Sequence, residues 1–153
     1  MKNFYWLIEG QIAGSPYPKT DSDFEFLKSK GIKTIINLTK ESLGYISQTS
    51  AQTFSLFNIQ IEDFSIPTID QISAIWDIVQ DQQTKLNPIV SHCQGGCGRT
   101  GMVLVILLGL LDLETNPEAA LKRVRNLRSC SVETEGQERF IRKIFSEKSQ
   151  IFS

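Results

Sequence analysis

One stretch of the chain concentrates the side chains that can do covalent chemistry: His92-Cys93-Gln94-Gly95-Gly96-Cys97-Gly98-Arg99-Thr100-Gly101. A thiol is a strong nucleophile. A guanidinium six positions later can hold two oxygens of a phosphate in its planar fork, a geometry that a lysine cannot match. A cysteine and an arginine at this spacing arise by chance roughly one time in eight in a chain of this composition, so the pair alone decides little. Its surroundings decide more. Gly95, Gly96 and Gly98 allow a loop whose backbone N–H groups turn inward around an anion, and a helix beginning at Arg99 would add its own unpaired N–H groups and partial positive charge. The same field favours the thiolate at Cys93. Thr100 is placed to donate its hydroxyl to the Cys93 sulfur. The chemistry these residues suit is capture of a phosphate and its transfer to sulfur. Gln94 through Arg99 would grip the oxygens.

His92 is the single histidine. Adjacent residues on a strand point to opposite faces, so His92 is expected to brace the loop from behind through a hydrogen bond instead of serving as a base. A zinc site built from His92, Cys93 and Cys97 is disfavoured because the further ligands such sites use are absent, and no cofactor is expected. If the loop amides converge on phosphate, the Cys97 side chain radiates outward, away from Cys93. Nothing in the sequence places Cys130 near either of the other two.

These residues need a scaffold. Pro88-Ile89-Val90-Ser91 reads as a short buried strand feeding the loop, and Arg99 to Leu113 as a helix buried on all sides. Upstream, residues 4–13 suggest a hairpin and Gly14 to Pro18 a loop. Thr20 with Asp23 suggests a helix start, with Phe24 and Leu27 facing inward and Gly31 as the stop. Thr34 to Leu38 reads as a strand. Lys40 to Gln52 suggests a loop leading into a helix that reaches about Phe57, followed by a strand over Asn58 to Ile61 and a loop from Glu62 to Pro67. Thr68 and Gln71 form a capping-box pattern ahead of Ile72, Ile75, Trp76 and Val79 at helical spacing. Asn116-Pro117 starts a further helix with Ala120, Val124 and Leu127 facing inward, and Val132 to Phe145 supplies the last. The alternation implies an α/β domain over residues 1–153, with a small, mostly parallel sheet flanked by helices.

Composition sets limits. At 153 residues and 41% hydrophobic content the chain can bury a core without disulfides. A net charge of −1 argues against general nucleic-acid affinity. Three cysteines read as reactive or packed thiols in a reducing compartment, which points to the cytoplasm. The run Met102 to Leu111 is too short to span a membrane, and the opening stretch is not expected to be a secretory signal. No membrane partner is expected, and the domain is expected to act as a monomer.

The loop resembles the active-site loop of the cysteine-based protein tyrosine phosphatase superfamily, in the form carried by small atypical dual-specificity phosphatases. Phe4-Tyr5-Trp6 to Ala13-Gly14, Ile61-Glu62-Asp63-Phe64 with Asp70-Gln71, and Val132-Glu133-Thr134 to Gln137-Glu138 are similar to members of that group in the same order. The resemblance implies hydrolysis of phosphate monoesters on phosphotyrosine proteins, and on phosphoserine or phosphothreonine proteins in dual-specificity members, through a cysteinyl-phosphate. It makes Asp63 the general acid, with Glu62 and Asp70 as rivals, and gives Gln137 the task of orienting the water that releases phosphate. Arg125 and Arg128 are the basic pair expected to support the site. Where many relatives carry Arg-Pro-Gly, this chain has Arg128-Ser129-Cys130, a less rigid turn that leaves the placement of Gln137 open. An RNA 5′-triphosphatase is the alternative within the superfamily and would need a basic channel. A phosphate-binding pseudoenzyme is the alternative outside enzymes, and the presence of nucleophile, clamp and acid together weighs against it.

Overall fold

The computed structural model describes residues 1–40 and 53–152. Five short strands, β1 (Tyr5–Ile8), β2 (Ile12–Ser15), β3 (Thr34–Asn37), β4 (Ser55–Asn58) and β5 (Ile89–His92), form one sheet in the order β1-β2-β5-β3-β4. Only the β1–β2 pair is antiparallel. The helices are α1 (Asp21–Ser29), α2 (Ile69–Thr84), α3 (Gly98–Leu110), α4 (Pro117–Leu127) and α5 (Glu135–Ile151). The expected α/β class with a mostly parallel sheet is what the chain adopts.

Local chemistry accounts for most of the boundaries. Thr20 and Asp23 form a reciprocal capping box at α1, as Thr68 and Gln71 do at α2, each pair satisfying two backbone N–H groups that would otherwise lack partners. Asn116 caps α4 with Pro117 at its first position. Helix α3 is buried from Gly98 to Gly109. It packs against α4 and α5 on one side and the sheet on the other, so a run apolar on every face finds a partner on every face.

Five expectations need correction. Ser55 to Phe57 is strand, not the end of a helix, because β4 pairs in parallel with β3 from Thr34↔Ser55 to Asn37↔Asn58. Backbone bonds then carry the chain alongside β3, from Ile59 N–H to Asn37 O and from Ile61 N–H to Leu38 O, but the ladder has ended where a strand was expected. The polar part of that expectation, residues 41–52, lies outside the described residues. Gly14 and Ser15 are strand instead of loop, since β2 also pairs with β5. Leu127 is 43% exposed because α4 ends there. Helix α5 begins at Glu135 instead of Val132, because the Thr134–Gln137 capping box sets its start.

Candidate active site

Strand β5 lies at the centre of the sheet and delivers Cys93 beyond its carboxyl end, the place where parallel α/β sheets leave a crevice for ligands. Cys93 is a free thiol, 3% exposed. The loop that follows is held by its carbonyls. Gln94 O accepts from Tyr17 N–H (3.0 Å), Gly95 O from Arg128 Nη2 (3.1 Å) and Gly96 O from the Tyr5 hydroxyl (3.3 Å). In a trans peptide the N–H points opposite to the carbonyl before it, so these anchors turn the amides of Gly95, Gly96 and Cys97 to the other side of the loop, where an anion can be held. Gly96 sits at φ +76°, and a Cβ there would meet the Ser15 carbonyl carbon at 2.8 Å, so glycine is required both by conformation and by close approach.

One amide departs from the expected cradle. Gly98 N–H donates to Glu133 Oε1 at 2.8 Å instead of turning inward. Sequence reasoning missed Glu133 and the phenol of Tyr5. Burial is the main cause that holds the Tyr5 pKa above its ordinary value, with the charge of Cys93 acting in the same direction against the Ser131 hydrogen bond and Arg128.

Arg99 is buried, donates from Nη1 to Ile61 O at 3.1 Å, and stands with Nε 3.5 Å from Asp63 Oδ1. Arg99, Asp63, Glu62, Gln94, Gln60 and Lys40 line a cavity of about 320 Å³. Of the three carboxylates weighed for the acid, Asp63 and Glu62 reach this cavity, and Asp63 alone of these two pairs with the clamp. Asp70 lies in the first turn of α2 and lines the adjoining hollow with Asn58 and Gln71, on the far side of Gln60 and Glu62, which border both. The Asp63 side chain is 52% exposed and accepts from Phe64 N–H, and Phe64 beside it is 61% exposed.

His92 is fully buried, with Nδ1 3.1 Å from Cys93 O and its ring edge-on to Tyr17. A carbonyl can only accept, so Nδ1 carries the proton and His92 braces the nucleophile's backbone from behind. Burial lowers its pKa to about 4, opposed by the bond to Cys93 O and reinforced by the charge of Arg99.

Thr100 does not make the expected donation to sulfur: its hydroxyl is buried and has no hydrogen-bond partner among the described residues. Gln137 is not an exposed helix position. It is fully buried, its Oε1 accepts from Glu133 N–H (2.8 Å) and Thr134 N–H (3.2 Å), and its Nε2 donates to Ser65 O (3.1 Å). Its amide therefore joins the start of α5 to the loop that carries Asp63. The Thr-x-x-Gln pattern at 134–137 is the signal that could have revealed the capping role. Of the basic pair expected to support the site, Arg128 bonds the loop itself and Arg125 the segment beside it. Arg125 donates to Ser131 O (2.8 Å) and Val132 O (2.9 Å), and Arg128 reaches the loop at Gly95.

The cysteines overturn one expectation. Cys97 is not a free thiol: it forms a disulfide with Cys130, with Cα atoms 5.1 Å apart, while Cys93 stays free. The partners are 33 residues apart in sequence, and the turn after α4 that brings Cys130 to the loop is visible only in three dimensions.

A family model described as the DSP-PTPase phosphatase domain of the Swiss Army Knife type matches residues 1–141. A protein of Methanocaldococcus jannaschii with no assigned role is 37% identical over 83 residues, 54% of this chain and 50% of its own. Protein 197R of Invertebrate iridescent virus 6, provisionally named a tyrosine phosphatase, is 30% identical over 112 residues, 69% of this chain and 41% of its own. The chain thus spans about half the length, or less, of these curated relatives. Among solved structures, Tk-PTP in its active form is similar with a TM-score of 0.83 at 21% identity, covering 95% of this chain and 97% of that one. Kinase associated phosphatase, solved with its catalytic cysteine replaced by serine, gives 0.80 at 22% identity over 95% and 94%. At such identities these two likenesses speak for the fold. The match over residues 1–141 goes further, and by it the chain belongs to the PTP-SAK family of DSP-PTPase phosphatase domains.

Proposed function

We propose that this domain hydrolyses phosphate monoesters of the phosphotyrosine type through a covalent phosphocysteine. The observation that carries the reading is the convergence of Gln94, which follows Cys93 in the outward-anchored loop, and the Arg99–Asp63 pair on one cavity. Cys93 as thiolate attacks phosphorus, the ester P–O bond breaks, and Asp63 gives its proton to the departing oxygen. Water then attacks the thiophosphate, Asp63 takes its proton, and inorganic phosphate leaves with the Cys93 thiolate restored. Arg99 and the amides of Gly95 to Cys97 hold the three equatorial oxygens as charge shifts among them. Exposed Phe64, next to Asp63, offers an apolar flank for the ring of a phosphotyrosine, and the name of protein 197R agrees with that class.

The test is hydrolysis of 4-nitrophenyl phosphate in the presence of a chelator, beside phosphotyrosine and phosphothreonine peptides, 5′-triphosphate RNA and inositol lipids. Turnover of the aryl phosphate and the phosphotyrosine peptide, abolished in Cys93→Ser while tungstate binding survives, is the expected result. Turnover in Cys93→Ser near that of the parent would refute the covalent step. Preference for the triphosphate RNA would transfer the function to that class.

A further inference from the structure

The catalytic reading leaves two of the three cysteines without a task, and the structure joins them across the site. Cys97 belongs to the phosphate loop, between Gly96 and Gly98, and Cys130 to the segment that links α4 to α5. That segment already grips the loop on both sides of Cys97: Arg128 holds Gly95 O, Glu133 holds Gly98 N–H, and Ser131 lies so near Gly101 that a Cβ there would meet its Cβ at 2.6 Å. The disulfide is the covalent member of this set.

Its position has a consequence for anion binding. With Cys97 fastened to Cys130, the next amide in the chain is given to a carboxylate three residues beyond Cys130. A phosphate entering the loop must compete with Glu133 for that N–H and meets the charge of Glu133 beside it, so the joined form is a poorer anion cradle than the sequence Gly-Gly-Cys-Gly could make. Cys97 O accepts from Gly101 N–H (2.8 Å) and fixes that peptide unit, so what cutting the tether can free is the segment that carries Glu133, whose carboxylate then withdraws from Gly98 N–H and leaves that amide to the anion. Both sulfurs belong to half-buried residues, Cys130 beside exposed Ser129 and Cys97 two positions after exposed Gly95, within reach of a small dithiol.

Resting on the reading of residues 93–99 as a phosphate loop, we propose that Cys97 and Cys130 form a thiol–disulfide exchange site through which a dithiol reductant converts the loop from a latched, anion-poor form to its phosphate-binding form. One thiolate of the reductant attacks a sulfur of the pair and the Cys97–Cys130 bond breaks. The second thiolate resolves the mixed disulfide. Two electrons and two protons end on Cys97 and Cys130, and the reductant leaves as its own disulfide. Cys93 takes no part.

The experiment compares the full chain with its disulfide intact, verified by alkylation and peptide mapping, and after anaerobic dithiothreitol, with the Cys93 thiol titrated in both samples. Tungstate affinity is measured by calorimetry and 4-nitrophenyl phosphate hydrolysis by absorbance. Reduction is expected to raise tungstate affinity and kcat/KM about tenfold, the scale of one charge-assisted hydrogen bond regained. Cys130→Ser should show the reduced-form affinity with or without dithiothreitol, and Glu133→Gln should narrow the difference between the two states of the parent. Equal tungstate affinity in both states, or a dithiothreitol response that persists in Cys130→Ser, overturns the proposal and leaves a purely structural disulfide. A redox-dependent affinity with no hydrolysis in either state keeps the latch and sinks the phosphatase reading. Equal hydrolysis in both states, with equal affinity, sinks the latch alone.

Discussion

Asp63 Oδ1 lies 3.5 Å from Arg99 Nε, so the residue proposed to donate the proton rests on the residue proposed to hold the phosphate. The two differ in setting. Arg99 is buried and also tied to Ile61 O, whereas Asp63 is half exposed on a turn. On the proposed mechanism an incoming phosphate dianion competes with Asp63 for the guanidinium and releases the carboxyl toward the leaving oxygen. Arg99→Lys keeps the charge but removes the fork, and kcat/KM for 4-nitrophenyl phosphate should fall by about 10²- to 10³-fold. A loss under threefold would show that point charge suffices.

Asp63→Asn should reduce hydrolysis of phenyl and alkyl phosphates by about 10²- to 10⁴-fold while sparing activated aryl phosphates, whose leaving groups need no proton. Glu62 reaches the same cavity and Asp70 does not. Parallel measurements on Glu62→Gln and Asp70→Asn check the assignment. The leaving-group pattern appearing in Glu62→Gln instead would move the role by one residue.

His92 makes stability depend on pH. Burial holds its folded-state pKa near 4, below the unfolded value of about 6.5, so the unfolded chain binds the extra proton between those values. Its contribution is fully present above about pH 6.5 and is lost as pH falls toward 4. The loss reaches about 3 kcal/mol at most. Urea unfolding of the parent and of His92→Asn at several pH values measures it. Parallel pH profiles for the two proteins would remove His92 as the cause.

Closing 33 residues of chain, the Cys97–Cys130 bond should stabilise the fold by about 3 to 4 kcal/mol on the chain-entropy account. Calorimetric melting of the disulfide form against Cys130→Ser, both without reductant, reads this directly. A lower Tm is expected for the variant, whatever the outcome for phosphate affinity. Coincident melting curves would mean that the unfolded chain is already confined there.

The strand, loop and helix that carry Cys93 and Arg99 were legible in the sequence because their causes are local. An apolar run enters the loop, glycines permit its turns, and an apolar run leaves it. The caps at Thr20, Thr68 and Asn116 are equally local, each a side chain bonding a backbone N–H three residues ahead. What only the tertiary structure decided involves partners far apart in the chain. β4 takes its register from β3, and Gln137 is buried by the loop carrying Ser65, 72 residues away. Glu133 captures Gly98 N–H across 35 residues, and Cys97 meets Cys130 across 33. No spacing rule connects such positions, since their proximity is set by how α3, α4 and α5 pack. Sequence periodicity records which face of each helix is apolar and not which loops the packed helices bring together.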